Sequence, residues 1–348
     1  MNWETDLASW AEEQGLHCFG IVPLEVENDF NRLEQWLADG RNAGMRFMEN
    51  HLVVRRKPAL LLEGAKSAVV LGLGYDTGDL LESSGEPRVA QYARYDDYHR
   101  VLRRKAEGIA ERWRKRLPGL KTRVVVDSVP LLERSLAARS PEGFIGKNTC
   151  FIHPRKGSWF LLGEILCDFE VPLTERRELP LERKTKAGGC GPCRQCQIAC
   201  PTGALDTDYS IDSRRCLSYW TIEHRGPIPE EFWPHLARYV FGCDICQLAC
   251  PYNIKREKTA PPDDFRPRAL PDLFETAILD QAAYERYFGG SPLTRAKRGG
   301  LRRNALIALA VTRDPRLAEA LERAKEDPEP PLPETLAQIE RYLALPSA

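Results

Sequence analysis

Hydrophobic positions over the first half of the chain fall into two alternating periods. Trp3, Leu7, Trp10 and Ala11 recur at helical spacing over residues 2–14, and Gly15 ends the run. His17–Val22 then reads as a strand, and Phe30, Leu33, Trp36 and Leu37 mark a second helix that stops at Gly40. Ser67–Leu73 is an unbroken apolar run of strand length, which predicts a buried strand. Tyr98–Arg116 reads as a long basic helix, Lys121–Val126 as a strand, Leu131–Arg139 as a helix and Ser158–Leu166 as a strand. Strands separated by helical segments predict a layered α/β or α+β domain. Gly72-x-Gly74 follows a strand, but no third glycine and no helix come after it, so a dinucleotide-binding reading is rejected.

The pattern then changes. The charged stretch Leu173–Lys186 reads as a linker, and the proline and aspartate run over 259–264 breaks regular structure again. Beyond it, Leu301–Ala310, Pro315–Ala324 and Pro333–Leu343 are apolar-periodic helical segments. We therefore expect three units, over residues 1–180, 181–262 and 263–348. A chain of 348 residues suits two or three compact units, and a hydrophobic fraction of 43% is enough for real cores. No stretch approaches the roughly 18–20 apolar residues of a membrane span. The formal net charge is zero, so any nucleic-acid site must be a local patch. The acidic start, without a basic leader or twin arginines, argues against export, and unpaired thiols fit a reducing cytosol.

The middle unit carries the chemistry. Cys190, Cys193, Cys196 and Cys200, followed by Pro201, have the spacing C-x2-C-x2-C-x3-C-P that bacterial ferredoxins use for cubane clusters. Cys243, Cys246 and Cys250, followed by Pro251, repeat most of it, with Cys216 between the runs. In this pattern the cysteine before proline crosses to the other cluster. Cys190, Cys193, Cys196 and Cys250 then hold one 4Fe–4S cluster, and Cys200, Cys216, Cys243 and Cys246 hold the second. A disulfide framework does not suit cysteines crowded into one segment of a long chain. Zinc would accept the C-x2-C pairs but explains neither the triple run nor the prolines. Cys18, Cys150 and Cys167 lie outside the pattern in apolar stretches and are expected to be buried, inert thiols.

Clusters whose sites are all filled by cysteine transfer electrons but cannot break bonds in an organic substrate. A second redox centre is therefore expected, and the residues alone do not identify it.

Three further stretches do. Val126-Asp127-Ser128-Val129-Pro130-Leu131-Leu132-Glu133-Arg134, then Gly143-Phe144-Ile145-Gly146-Lys147-Asn148-Thr149, then Gly157-Ser158-Trp159-Phe160-Leu161-Leu162-Gly163-Glu164 resemble the epoxyqueuosine reductase family. The doubled cysteine pattern follows at the same relative position, and Leu301-Arg302-Arg303-Asn304-Ala305 is similar to that family's C-terminal segment. The resemblance covers nearly the whole chain. It implies an α+β N-terminal cobalamin-binding domain, a bacterial-ferredoxin-like two-cluster module and a C-terminal HEAT-like helical segment. It also implies a cytoplasmic, monomeric oxidoreductase with no membrane association. The implied reaction reduces epoxyqueuosine to queuosine at the wobble position (34) of tRNA, the last step of queuosine biosynthesis. The implied partners are a tRNA anticodon stem-loop and an external electron donor such as a flavodoxin or ferredoxin. The Asp-x-His-x-x-Gly cobalamin signature is absent, because Asp97-Tyr98-His99-Arg100-Val101-Leu102 lacks the glycine. Cobalamin is accordingly expected with its lower base detached and no histidine in its place.

Each candidate residue also has a plainer reading. Asp127, before Ser128 and Pro130, looks like a helix cap; the resemblance makes it the proton donor, with Ser128 taking over the capping. Its pKa would then need raising by burial. Lys147 and Asn148 sit in a glycine-flanked loop that suits either a turn or contact with the corrin, and Arg55 is either a solvated charge or a cobalamin contact. Arg295, Lys297, Arg298, Arg302 and Arg303 form a basic run that suits either a solvated face or an RNA backbone. Tyr219, Trp220 and His224, just after Cys216, are candidates for stacking on unpaired bases. Two other activities would share the clusters: a cobalamin-dependent reductive dehalogenase, and an electron-transfer subunit with no catalytic centre.

Overall fold

In the computed structural model, which describes residues 3–76, 88–168, 170, 189–237 and 239–344, the expected strands are present. They run in chain order as β1 (His17–Pro23), β2 (Ser67–Gly74), β3 (Thr122–Val125), the short pair β4 (Phe144–Ile145) and β5 (Phe151–Ile152), and β6 (Phe160–Cys167). The main sheet has the order β1-β2-β6-β3 with every neighbour antiparallel. Intervening helices thus do not make this a parallel sheet: β1 and β2 are antiparallel although helices lie between them in sequence. The layered domain is α+β.

Helices α1 (Trp3–Glu13), α2 (Glu27–Ala38), α3 (Leu52–Arg56), α4 (Tyr98–Arg116) and α5 (Glu133–Ala137) complete this part of the fold. Alternation along β2 explains its unbroken apolar run. Val69, Leu71 and Leu73 face Leu7 and Trp10 of α1 and Leu102, Ile109 and Trp113 of α4. Ala68 and Val70 belong to the opposite layer, with Phe19, Val125, Leu166 and the α5 residues Leu136 and Ala137. With both faces covered, all eight β2 positions are buried. Gly72 has a packing reason rather than a nucleotide-binding one. A Cβ there would lie 2.5 Å from the Phe19 ring and 3.1 Å from Phe160.

One boundary differs in a way that matters. A helix was expected from Leu131, with Asp127 or Ser128 as its cap. The helix starts instead at Glu133, and no side chain caps it. Asp127 adopts φ +45°, and Ser128 N–H folds back onto Val126 O at 2.6 Å. Residues 127–132 therefore form a separate, irregular loop. The expected linker Leu173–Lys186 lies outside the described residues.

The cysteine-bearing segment contains α6 (Gln195–Ala199), α7 (Trp233–Leu236), α8 (Ile245–Leu248) and α9 (Pro251–Ile254). Buried polar groups lock it to the sheet domain. Asn253 Oδ1 accepts the Ser158 N–H at 2.7 Å, and its Nδ2 donates to Ser158 Oγ at 2.9 Å. Asp244 accepts the Gln91 N–H at 2.7 Å, and Arg256 pairs with the buried Asp76.

The last segment comprises α10 (Leu273–Ala277), α11 (Gln281–Phe288), α12 (Lys297–Thr312), α13 (Leu317–Glu326) and α14 (Leu332–Ala344). α12 is buried without interruption from Gly299 to Ala310, as expected of a helix enclosed by others. Arg302 and Arg303 are inside it, at 1% and 0% exposure, and this corrects their reading as an RNA-facing pair. Arg302 donates to Asp327 O at 2.9 Å, Glu329 Oε1 at 3.1 Å and Ala277 O at 3.2 Å. Arg303 donates to Gly226 O at 2.7 Å, Trp220 O at 2.8 Å and His224 O at 2.9 Å. Arg298 is also engaged, by Asp327 and Glu329. The physical reason is acceptor supply: carbonyls left open by the turn after Cys216 and by the chain before α14 need buried donors. Among the described residues, no helix is long and apolar enough to cross a membrane.

Arg303→Met should accordingly lower the unfolding free energy by about 2–4 kcal/mol, because three part-buried carbonyls lose the charge-assisted donors of a fully buried guanidinium. Denaturant unfolding of the purified protein measures this. A loss below roughly 0.5 kcal/mol, the range of ordinary surface changes, would return Arg303 to the surface.

Candidate active site and cluster centres

Four thiols converge as the crossing rule requires. Cys190, Cys193, Cys196 and Cys250 line one cavity of about 240 Å³. Lys147, Asn148, Ile152 and Tyr252 complete its wall. Lys147 and Asn148, expected beside a corrin, thus stand at an iron–sulfur site. The Lys147 N–H points at Cys190 Sγ at 3.3 Å, its ammonium pairs with Asp208 at 2.9 Å, and Asn148 Nδ2 donates to Cys246 O at 3.4 Å. An N–H aimed at a ligand sulfur stabilises charge on it.

The second set is drawn together around α6 and α8. Cys216 and Cys243 act on each other electrostatically, and both feel Cys200, while Cys246 feels Cys243 and Cys216. Burial is the largest influence on Cys216, Cys243 and Cys246, pushing Cys243 up to about 12, and in the first set it pushes Cys196 up to about 11. Eight thiols gathered in two sets of four fit the donor set of two cubanes. Of the remaining cysteines, Cys167 is buried and Cys18 and Cys150 are half-buried, with burial pushing each of the last two up to about 11.

His17, Glu142 and His153 also cluster, within metal-binding distance. Their hydrogen bonds speak against a metal. His153 Nδ1 accepts the N–H groups of Arg155 and Lys156, both at 3.1 Å, and the Lys156 ammonium donates to His17 Nδ1 at 3.0 Å. Both rings therefore carry their proton on Nε2 and offer no lone pair there; that of His153 is directed at Glu142 at 3.3 Å, while His17 Nε2 stands 3.9 Å from it.

Asp127 is the centre of the second site. Its carboxylate accepts from Tyr98 OH at 2.6 Å and faces His99 Nε2 at 2.8 Å. His99 Nδ1 faces Asp97 at 2.7 Å, and Asp97 also caps α4 through the His99 N–H. The Asp97-Tyr98-His99 run, read in the sequence as a failed cobalamin signature, is thus the support of Asp127. Both His99 nitrogens are engaged. The Asp127 side chain keeps 53% of its surface accessible, so the carboxylate can be approached from solvent.

Burial acts to raise the Asp127 pKa, as expected, but hydrogen bonds from His99 and Tyr98 outweigh it and leave the carboxyl below its ordinary value. Burial likewise lowers His99, and its bonds to Asp127 and Asp97 more than reverse this, to about 9. At neutral pH the shared proton belongs to His99. Behind the loop, the Asp127 N–H donates to Glu133 Oε1 at 2.5 Å. Burial, then the charge of Asp127, raise Glu133 to about 8. Burial and Glu133 likewise push Glu164 well up; it sits on β6 between Val70 and Val125 with both oxygens unpartnered. Neither glutamate was singled out from sequence.

The surroundings of this site come from distant segments. Arg55, half-buried on α3, donates to Asn50 O and Phe47 O and feels Glu133. The Arg295 guanidinium lies 5.0 Å above the Phe47 ring, pairs with Glu223 and feels Asp127. Arg295 and Lys297 are the members of the expected basic run that remain exposed. Tyr219 is buried, with its hydroxyl accepting the Gly44 N–H at 3.0 Å, so it is not available to stack on a base. Trp220 is wedged against Phe232 and His224, and His224 bonds Pro227 O.

Residues 55–128 match the family model described as "Epoxyqueuosine reductase QueG, DUF1730", and residues 189–253 match the "4Fe-4S double cluster binding domain". The chain is 38% identical over 311 residues to an epoxyqueuosine reductase of Xanthomonas campestris pv. campestris, covering 86% of this chain and 84% of that one. The chain belongs to the epoxyqueuosine reductase family. The epoxyqueuosine reductase structure from Streptococcus thermophilus superposes with a TM-score of 0.85 at 27% identity, covering 100% of this chain and 92% of that one. An epoxyqueuosine reductase crystallised with an epoxyqueuosine-modified tRNA-Tyr stem loop superposes at 0.77 and 28% identity, covering 96% and 88%.

Anaerobically prepared protein should contain about eight iron atoms per chain, four per cubane. Crossing makes the cysteine variants diagnostic. Cys250→Ser should disturb the cluster of Cys190, Cys193 and Cys196 and spare that of Cys243 and Cys246, as read by electron paramagnetic resonance. The opposite pattern would mean ligation within each run.

Proposed function

We propose that this chain reduces epoxyqueuosine to queuosine at the wobble position (34) of tRNA, using cobalamin reduced through its two 4Fe–4S clusters. The observation that carries this reading is the Asp127–His99–Asp97 array, which holds a mobile proton at a solvent-approachable carboxylate beside a two-cluster module. An electron-transfer subunit has no use for such an array, and a dehalogenase has no need to protonate an oxygen.

The reaction consumes two electrons and two protons; both carbon–oxygen bonds of the epoxide break, a carbon–carbon double bond forms and the oxygen leaves as water. Cobalamin, when bound, supplies the strongly reducing centre that acts on the epoxide. His99 would not be a ligand of its cobalt, since both ring nitrogens are committed to carboxylates. Arg55 is placed to hold the cofactor's periphery. Tyr92 packs edge-on to Tyr98 and feels both Asp127 and Asp244, which supports the cluster of Cys243 and Cys246 as the one that feeds this site.

Asp127 serves as the proton donor by relay: the proton rests on His99 and passes through the Asp127 carboxylate to the epoxide oxygen as charge develops there. Tyr98 fixes the carboxylate rotamer, and Glu133 fixes the backbone that carries it. The Phe47 ring beneath Arg295, with Lys297 nearby in sequence, offers an unstacked base an aromatic platform and a cation. Within this reading the chain divides into a cobalamin-binding domain (1–180), a double-cluster domain (181–262) and a HEAT-like tRNA-contacting domain (263–348), and it works as a cytoplasmic monomer.

Asp127→Asn keeps the shape and the accepted hydrogen bonds but has no transferable proton. Turnover on epoxyqueuosine-bearing tRNA should fall by about 10²–10⁴ while tRNA and cobalamin still bind. The pH profile supplies a second check. A raised His99 pKa means that the proton, and the stability of its ion pair, are fully present below about 6.5 and disappear as pH rises through about 9. The wild-type rate should therefore decline on the alkaline side near pH 9, and His99→Gln should abolish that limb. Near-normal single-turnover rates in Asp127→Asn would move the acid elsewhere.

Electron paramagnetic resonance of the cob(II)alamin-loaded protein should lack nitrogen superhyperfine splitting from an axial base. Such splitting would put a histidine or the lower base on cobalt.

A further inference from the structure

The two cysteine runs are copies of one pattern that ended up in different surroundings. Cys193-Arg-Gln-Cys196-Gln-Ile-Ala-Cys200-Pro201 and Cys243-Asp-Ile-Cys246-Gln-Leu-Ala-Cys250-Pro251 align residue for residue. The second copy faces inward. Leu248 packs against the core of α1, α4 and the sheet. Gln247 Nε2 donates to Ser158 Oγ at 3.0 Å, Ser158 O at 3.2 Å and Tyr75 OH at 3.3 Å, and Asp244 is buried.

The first copy presents the equivalent face to solvent. Ile198, the counterpart of Leu248, is 75% exposed. Gln197 bonds within its own segment, accepting from Arg194 and donating to Asp208, and Arg194 is exposed where Asp244 is buried. The tail after Cys250 adds to this. Ile254 is 65% exposed, whereas its counterpart Ala204 is buried. Ile198 and Ile254 come from the segments that line the cavity of Cys190, Cys193, Cys196 and Cys250. One half of the module thus leaves open the face that the other half uses to dock on a protein domain.

We propose that this face receives an acidic, low-potential electron-carrier protein, which reduces the Cys190/Cys193/Cys196/Cys250 cluster one electron at a time. This rests on the function proposed above, in which the clusters feed the catalytic centre. Each transfer oxidises the carrier by one electron and takes a cluster from the 2+ to the 1+ state, with no bond made or broken. Charge selects the class of partner. Residues 189–201 carry Arg194 and no acidic side chain, and Lys255 is exposed beside Ile254. The neighbouring acids are paired, Asp208 with Lys147 and Glu257 with Arg155. Each of the two segments thus pairs an exposed isoleucine with an exposed cation, which complements an acidic carrier with apolar contacts. An RNA backbone would match the cations but not the isoleucines.

Stopped-flow reduction of the anaerobic holoenzyme, with photoreduced flavodoxin as the probe and dithionite as the small-molecule control, tests this. In Ile198→Glu and Arg194→Glu the second-order rate with flavodoxin should fall about tenfold or more, and the wild-type rate should fall with added salt. Cluster reduction by dithionite and dithionite-driven turnover on tRNA should match wild type. Flavodoxin rates within twofold of wild type in both variants would overturn the proposal, and so would a loss of tRNA affinity in its place. If Ile198→Glu also slows dithionite, Arg194→Glu decides, because that side chain is exposed. Wild-type protein that dithionite reduces but that leaves epoxyqueuosine unchanged would defeat the proposed reaction and not the docking face.

Discussion

The return of Cys250 to the thiols of Cys190, Cys193 and Cys196 is the constraint around which the rest of the molecule is arranged. A residue some fifty positions downstream must close a cavity opened by the first run, so everything between must fold back within a few ångströms. That requirement brings α8 and α9 against the sheet domain, where Asn253, Gln247 and Asp244 find Ser158, Tyr75 and Gln91. It also leaves a π-helical turn after Cys216, over Tyr219–Glu223, some of whose carbonyls take donors from outside the turn. Arg303 and Asn304, from the buried α12, supply those donors. The C-terminal helices are thus tied to the cluster segment by polar groups that the segment cannot leave unpaired.

Much of this was legible in the sequence, for different reasons at different places. The cysteines announce themselves because iron demands both a residue type and a spacing. The helices and strands of the first domain follow from periodicity, and Ser67–Leu73 read correctly because a doubly covered strand must be apolar throughout. Arg302 and Arg303 misled because a basic run signals charge, not where the charge points, and both guanidiniums turned inward to buried carbonyls. Lys147 and Asn148 misled for a related reason. A glycine-flanked loop signals close approach to something, and that something proved to be the cluster cavity.

The support of Asp127 was the least legible part. Tyr98, His99 and Glu133 stand on α4 and α5, and only the antiparallel pairing of β3 with β6 brings them to one place. Glu164 is the clearest instance. In sequence it is one polar residue in an apolar strand, and on the sheet it becomes a charge-shunning group that feels Glu133 and Asp127. Proton affinity in this region is set by burial against hydrogen bonding, and neither can be read before the fold is known.

The left-handed backbone at Asp127 has a consequence for how the position can vary. At φ +45° glycine, asparagine and aspartate are the most comfortable, because a larger or branched side chain crowds its own carbonyl. Of those three, glycine brings no functional group and asparagine no exchangeable acid. Conformation and chemistry each narrow the choice, and aspartate satisfies both. Under the proposed reaction, a replacement at this codon would have to supply an acid and tolerate the left-handed backbone at once, or leave the task to an acid rooted elsewhere.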